Sequence, residues 1–198
     1  QGGCEASRSV DTTAETTTGQ RLCAWWDSAR SRIDIASDSA VPAAAELLLT
    51  LTPQQIEHME RRYAKFNAEF RDDYLQTEPA QRFKASVKRA VERAETFYGS
   101  VDDAQRERIS RLVAQSPFDA DLWFNERRIR QQEALQMLRR LKAEAATIEQ
   151  AQAALRAYFE RMAHAPRTQY RRYAQTLVQY NCEFAAELHN STSAAQRQ

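Results

Sequence analysis

Glycine is scarce in this chain of 198 residues, with 4 copies, and proline hardly commoner, with 5. Turn-rich sheet architectures draw heavily on both, so their scarcity excludes such folds; beside plentiful Ala, Leu, Glu, Gln and Arg it predicts helices. Long apolar runs are missing too: the longest, around residues 43–51, includes Glu46 and Thr50 and falls well short of the roughly 20 residues that span a bilayer. Neither sign of charge dominates, with 28 Lys and Arg against 27 Asp and Glu. That balance argues against nucleic acid or acidic lipid as a partner held by a broad basic field. Cysteine and histidine number 3 each, few for a metal centre.

What is present is helix punctuation. From Arg21 an apolar pattern of Leu22, Trp25, Trp26, Ala29 and Ile33 predicts a first helix. The pattern weakens through Ala36-Ser37-Asp38-Ser39, and Pro42 is expected to open a separate short segment over 43–51. Thr52, Pro53 and Gln55 then read as a capping box with proline at the first helical position. Ile56, Met59, Tyr63, Phe66, Phe70 and Tyr74 follow as one inward stripe. A further helix over about 79–98 carries Phe83, Val87, Ala90, Val91, Ala94 and Phe97 inward and stops at Gly99. Segments are predicted over about 103–115, from residue 119 or 121 to 145, over 148–164 and over 167–189, the last with Tyr170, Tyr173, Leu177, Tyr180, Phe184 and Leu188 inward. The fold class is therefore all-α, a bundle of six or seven antiparallel helices with no sheet. Residues 21–198 form a single helical domain behind a flexible lead-in over 1–20, where Val10 is the one large apolar side chain.

Four strings share the pattern Ser, Thr or Asp, then Gln three residues later: Thr52 with Gln55, Asp102 with Gln105, Thr147 with Gln150, and Ser193 with Gln196. Their similar spacing suggests a helical-pair repeat. The apolar positions between them do not recur in step, so independent caps are the simpler reading. Little chain follows the fourth cap, which suggests a natural chain continuing beyond Gln198.

No constellation for catalysis stands out. His58, His164 and His189 are far apart in sequence, without the zinc-protease helix motif or a cysteine pair at zinc spacing. The carboxylates, Asp72-Asp73, Glu92 with Glu95, Asp102-Asp103, Asp119 and Asp121, fit polar helix faces or first turns. No nucleophile elbow, phosphate loop or dinucleotide fingerprint occurs. Catalytic residues, cofactor-binding residues and metal ligands are therefore all expected to be absent. The interleaved Arg167-Thr168-Gln169-Tyr170-Arg171-Arg172-Tyr173 has the look of a single-strand binder, but its tyrosines fall on the inward stripe, and core packing is the preferred reading.

Cys23 lies on the apolar side of the first helix and Cys182 near the inward face of the last. A disulfide between them is expected, with two buried free thiols as the alternative. Cys4 follows Gly2-Gly3 as in a bacterial lipid-attachment box, although Gln1 stands where leucine is wanted. Trp25-Trp26 and Trp123-Phe124 are neighbours that cannot share one stripe; one of each pair is expected outside, as a contact surface.

Several strings then come in a specific order: Leu51-Thr52-Pro53-Gln54-Gln55, Arg61-Arg62-Tyr63-Ala64-Lys65-Phe66-Asn67-Ala68-Glu69, Lys88-Arg89-Ala90-Val91-Glu92-Arg93-Ala94-Glu95 with Tyr98-Gly99, Ser116-Pro117-Phe118-Asp119, and Asn181-Cys182 with Leu188-His189. Together they resemble a family of uncharacterised proteobacterial lipoproteins over about residues 22–196. The resemblance implies a helical, periplasmic envelope protein, lipid-anchored through a signal-bearing precursor of which this chain is the C-terminal two thirds. Leu51-Thr52 with Gln55 is also similar to the motif of Spy- and CpxP-type helical periplasmic proteins. The function these readings suggest is non-enzymatic binding, chaperone-like, of an unfolded client or protein partner through an apolar groove between helices. The alternative is a scaffold lipoprotein acting by helix association, including a homodimer. An enzyme of unknown type is the third.

Overall fold

The computed structural model describes residues 16–197, so Cys4, most of the expected lead-in and Gln198 lie outside the described residues. The chain forms seven α-helices: α1 Gly19–Thr50, α2 Pro53–Tyr74, α3 Pro79–Tyr98, α4 Asp103–Gln115, α5 Ala120–Ala143, α6 Ile148–Ala163 and α7 Thr168–Asn190. A 3-10 turn, Ala195–Arg197, follows, and no strand occurs among the described residues. This is the all-α bundle that the sequence predicts.

Side-chain caps set most of the helix starts. The Thr52 hydroxyl accepts from the Gln55 amide at 3.2 Å while the Gln55 side chain accepts from the Thr52 amide at 2.8 Å. The same reciprocal box forms at Asp102 with Gln105, Thr147 with Gln150 and Ser193 with Gln196. The second and fourth boxes also interlock, because the side-chain amides of the buried Gln105 and the half-buried Gln196 exchange hydrogen bonds at 3.0 and 3.1 Å. The helices that follow the first three boxes have 22, 13 and 16 residues, which suits independent caps better than a repeating unit. Thr52→Ala should remove about 1 kcal/mol of stability and leave any binding intact; chemical denaturation beside a binding assay checks both halves of that statement.

The N-terminal end differs from expectation. Helix α1 begins at Gly19, its first turn capped by the Thr18 hydroxyl. Thr17 exchanges two hydrogen bonds, of 2.9 and 2.7 Å, with the Asn190 side chain. A Cβ at Gly19 would lie 2.9 Å from Glu183 Cγ and 3.2 Å from its Cα, so α1 approaches α7 at a distance only glycine permits.

Pro42 does not separate two segments, as the sequence suggests; it sits inside one continuous α1. A proline there removes the hydrogen bond to the carbonyl four residues back, a penalty of about 3 kcal/mol. Packing on both sides outweighs it: Val41 and Ala45 are fully buried in the core, Asp38 pairs with Arg156 at 3.0 Å, and Arg30 donates to the Ala163 carbonyl.

The apolar pattern that marks α1 does not coincide with its inward face. Trp25, Trp26 and Ile33 point outward, 67%, 43% and 60% exposed, while the side facing α6 and α7 carries Gly19, Cys23, Val41 and Ala45. The helix has apolar residues on more than one side, and periodicity cannot say which side meets a neighbour. Phe66 on α2 and Phe83 and Phe97 on α3, expected in the core, are likewise exposed.

Two hydrophobic cores result. One joins α1, α2, α5 and α6 through Val41, Ile56, Leu138, Leu141 and Leu155, with Leu51 packed beside it. The other joins α3, α4 and α7 through Val91, Ala94, Ile109 and Leu188, with Val101 from the turn before α4. The tie between first and last helices is covalent: Cys23 and Cys182 form a disulfide with Cα atoms 5.4 Å apart.

Candidate functional site: an aromatic and arginine groove

The helices α2, α3, α5 and α7 line an open groove of about 1180 Å³. Its floor is a stack built on Phe70, whose ring lies 4.4 Å from Tyr74, 4.9 Å from Trp123 and 5.3 Å from Phe124, all near parallel. Helical spacing explains the first contact, since residues 70 and 74 are one turn apart on α2. The antiparallel approach of α2 and α5, fixed by the Glu60–Arg139 ion pair and by Asn67 donating to Gln131 at 2.7 Å, brings Trp123 and Phe124 to the same level. Phe83 and Phe97 of α3, Phe118 of the α4–α5 turn, and Phe184 of α7 extend the apolar wall.

Arginines overlie this surface. Arg89 stands 4.0 Å from the Tyr74 ring centre and donates to the Asp73 carbonyl at 2.6 Å. Arg127 lies 5.6 Å from the Trp123 ring and 5.9 Å from that of Phe70, and its buried Nε has no hydrogen-bond partner. The faces of these rings are electron-rich, so a guanidinium over them gains an attraction of about 0.5–2 kcal/mol. Arg82 and Arg93 also line the groove, as do Glu69, Asp73, Asp119 and Asp121. The four arginines and four carboxylates balance along a groove rich in aromatic side chains. Such a surface can take an apolar segment of chain and orient its polar groups with guanidinium or carboxylate partners at the rim.

The expected site residues divide between places. Trp123 lines the groove and Phe124 is buried beneath it. Trp25 and Trp26 lie on α1, outside the groove lining, and both rather than one are exposed. Thr52 and Gln55 act as the cap described above. His58 is exposed; His164 Nδ1 lies 3.0 Å from Glu160, and His189 Nδ1 is 3.2 Å from the Tyr98 hydroxyl. Asp119 caps α5, and its backbone amide and carbonyl both bond the Tyr173 hydroxyl. Tyr170 and Tyr173 are half-buried in the bundle. Among the described residues no group of His, Cys, Asp and Glu is arranged to hold a metal ion, and no helix is long and apolar enough to cross a membrane.

A charged network escaped the sequence analysis. Glu126 on α5 is 2% exposed and accepts from Arg167 at 2.6 and 2.8 Å and from Arg130 at 2.8 Å. Glu133 joins through Arg167 at 3.3 Å and Arg161 at 3.4 Å. Burial pushes the Glu126 carboxyl up, but hydrogen bonds from Arg167 and Arg130, together with their charges, outweigh it and hold its pKa below the ordinary glutamate value. The available signal was spacing: Glu126, Arg130, Glu133 and Met137 fall on one face of α5 at steps of four, three and four. Every acid in the network is matched by arginine, so its chemistry is that of a clamp holding α5, α6 and α7 together.

Fold and site together define a helical bundle with a solvent-open aromatic and arginine groove. The chain belongs to the family of unknown function DUF6279, which it matches over residues 9–162. That span includes the groove walls of α2, α3 and α5 and stops before α7 and Cys182. No curated protein matches the chain, and no solved structure does.

Proposed function

We propose that this protein is a non-enzymatic binding protein of the bacterial cell envelope, chaperone-like in action, whose groove takes up apolar segments of an unfolded client or partner protein. The observation that carries this reading is an open groove in which the half-buried Tyr74 and Trp123 stack on the buried Phe70 beneath Arg127, with Phe83 and Phe97 exposed along one wall. Exposed aromatic surface of this extent is retained at sites that bind. Phe97 is 74% exposed, so it contributes little to folding and is available to a ligand.

The envelope location, with a lipid anchor on a longer precursor, rests on the lipoprotein resemblance and draws support from the Cys23–Cys182 disulfide, a bond kept in oxidising compartments. The likeness to Spy- and CpxP-type proteins points to the same client-binding role. The test pairs Phe83→Ser and Phe97→Ser in one variant. Wild-type protein should suppress aggregation of a chemically unfolded client, and the variant should lose most of that effect at an unchanged melting temperature. No suppression by wild-type protein, or equal suppression by the variant, contradicts the reading.

A further inference from the structure

Helix α1 carries a second apolar surface, remote from the groove lining. Leu22, Trp26, Ala29, Ile33, Ala36, Ala40, Ala43 and Leu47 succeed one another at alternating steps of four and three, the a and d positions of a coiled-coil seam. Trp26, Ile33, Ala36, Ala40, Ala43 and Leu47 are all exposed, and Leu22 and Ala29 half-buried. The seam is separate from the face that holds Val41 and Ala45 in the core, so nothing in the fold of the chain requires it to be apolar.

Its sequence specifies what fits. One row carries the large Trp26, Ile33 and Leu47 with Ala40 among them, and the other carries Ala29, Ala36 and Ala43 after Leu22. A parallel copy would set large against large and alanine against alanine, leaving voids. An antiparallel copy with its two-fold axis beside Asp38 sets Ile33 against Ala43, Leu47 against Ala29, and Ala36 against Ala40. In that register the flanking positions bring Arg32 opposite Glu46 of the other copy, twice by symmetry. Neither Arg32 nor Glu46 has an ion-pair partner within the chain among the described residues. Sliding the pairing by one heptad would place Arg32 opposite Ser39 and Glu46 against Trp25, so the charges select one register.

We propose that α1 pairs antiparallel with α1 of a second copy of this chain, along the seam from Trp26 to Leu47 with Arg32 and Glu46 as reciprocal ion pairs. The paired stretch is roughly 33 Å long at 1.5 Å per residue. A membrane surface is the competing occupant, but α1 carries three arginines against four carboxylates, whereas helices that lie on acidic lipid are rich in Lys and Arg. This pairing does not depend on the groove.

Sedimentation equilibrium of the chain across the micromolar range is expected to show a monomer–dimer equilibrium. Ile33→Glu, an exposed substitution, should give monomer with an unchanged helical circular dichroism spectrum. Arg32→Glu should weaken the dimer roughly tenfold by replacing two attractions with two repulsions, and adding Glu46→Arg should restore it. A monomer at every concentration, a dimer indifferent to Ile33→Glu, or an Arg32→Glu defect that Glu46→Arg does not rescue overturns the proposal. So does co-sedimentation of a monomer with vesicles containing phosphatidylglycerol that Ile33→Glu abolishes.

Discussion

Exchange of Cys23 and Cys182 for serine is expected to lower the melting temperature by roughly 10–20 °C. The bond joins residues 159 apart in sequence, and closing so long a loop restricts the unfolded chain by about 4–5 kcal/mol on the chain-entropy model. For a chain of this length each kcal/mol moves the transition by about 2–4 °C. The location adds to the effect. The N-terminal half of α1 meets α7 through the Gly19–Glu183 contact, the Thr17–Asn190 hydrogen bonds and the disulfide, and the first two are small or solvent-exposed. Thermal denaturation of oxidised, reduced and double-serine protein should show the reduced and serine forms alike and both well below the oxidised form. Three reactive thiols per chain in denatured, unreduced protein would show that the bond does not form; bonding of Cys23 to Cys182 leaves one, Cys4.

Glu126→Ala should destabilise by about 3 kcal/mol, because it leaves Arg130 without its carboxylate and Arg167 with only its longer contact to Glu133, both partly buried. Both arginines keep some access to solvent, which places the effect at the lower end of the range for broken buried pairs. The same contact predicts a pH dependence. Since the folded-state pKa of Glu126 is depressed, its stabilisation is complete above about pH 5, where the unfolded chain is also ionised. It is lost as pH falls below about 4 and through the folded-state value. Glu126→Gln should therefore flatten the acid limb of a stability–pH profile measured by chemical denaturation. An alanine variant within 1 kcal/mol of wild type, or an unchanged acid limb in the glutamine variant, would show that the clamp contributes nothing.

Local chemistry made much of the helix inventory legible. Pro79 and Gly99 bracket α3 as expected, and Gly99 takes the positive φ of 75° that a residue with a side chain rarely adopts. The capping pairs at Thr52, Asp102 and Thr147 mark the starts of α2, α4 and α6 for the same reason: their hydrogen bonds lie within four residues. The Cys23–Cys182 bond could be inferred because each cysteine sits on an apolar face of a terminal helix. What was not legible depends on which neighbour a face meets. Periodicity groups Ile33, Phe66, Phe83 and Phe97 with apolar stripes, yet Ile33 is exposed on α1 and the other three line the groove. The local rule ends a helix at Pro42, and tertiary packing around Val41 and Ala45 overrides it. Glu126 looked like one carboxylate among many, since Arg167 is 41 residues away in sequence and only the fold brings it near. Of the residues that line the groove, the sequence singles out Trp123 by its place beside Phe124, and the set that builds the groove depends on helix packing.

The groove itself is most directly tested through Trp123. With Trp25→Phe and Trp26→Phe, both on the exposed face of α1, Trp123 becomes the single tryptophan of the chain. Its fluorescence reports on the stack with Phe70. Titration with an unfolded, apolar-rich client is predicted to give a saturable change in that fluorescence, and Phe83→Ser with Phe97→Ser in the same background should abolish it. A Trp123 signal that stays constant while the client binds elsewhere, or does not bind at all, would contradict the account.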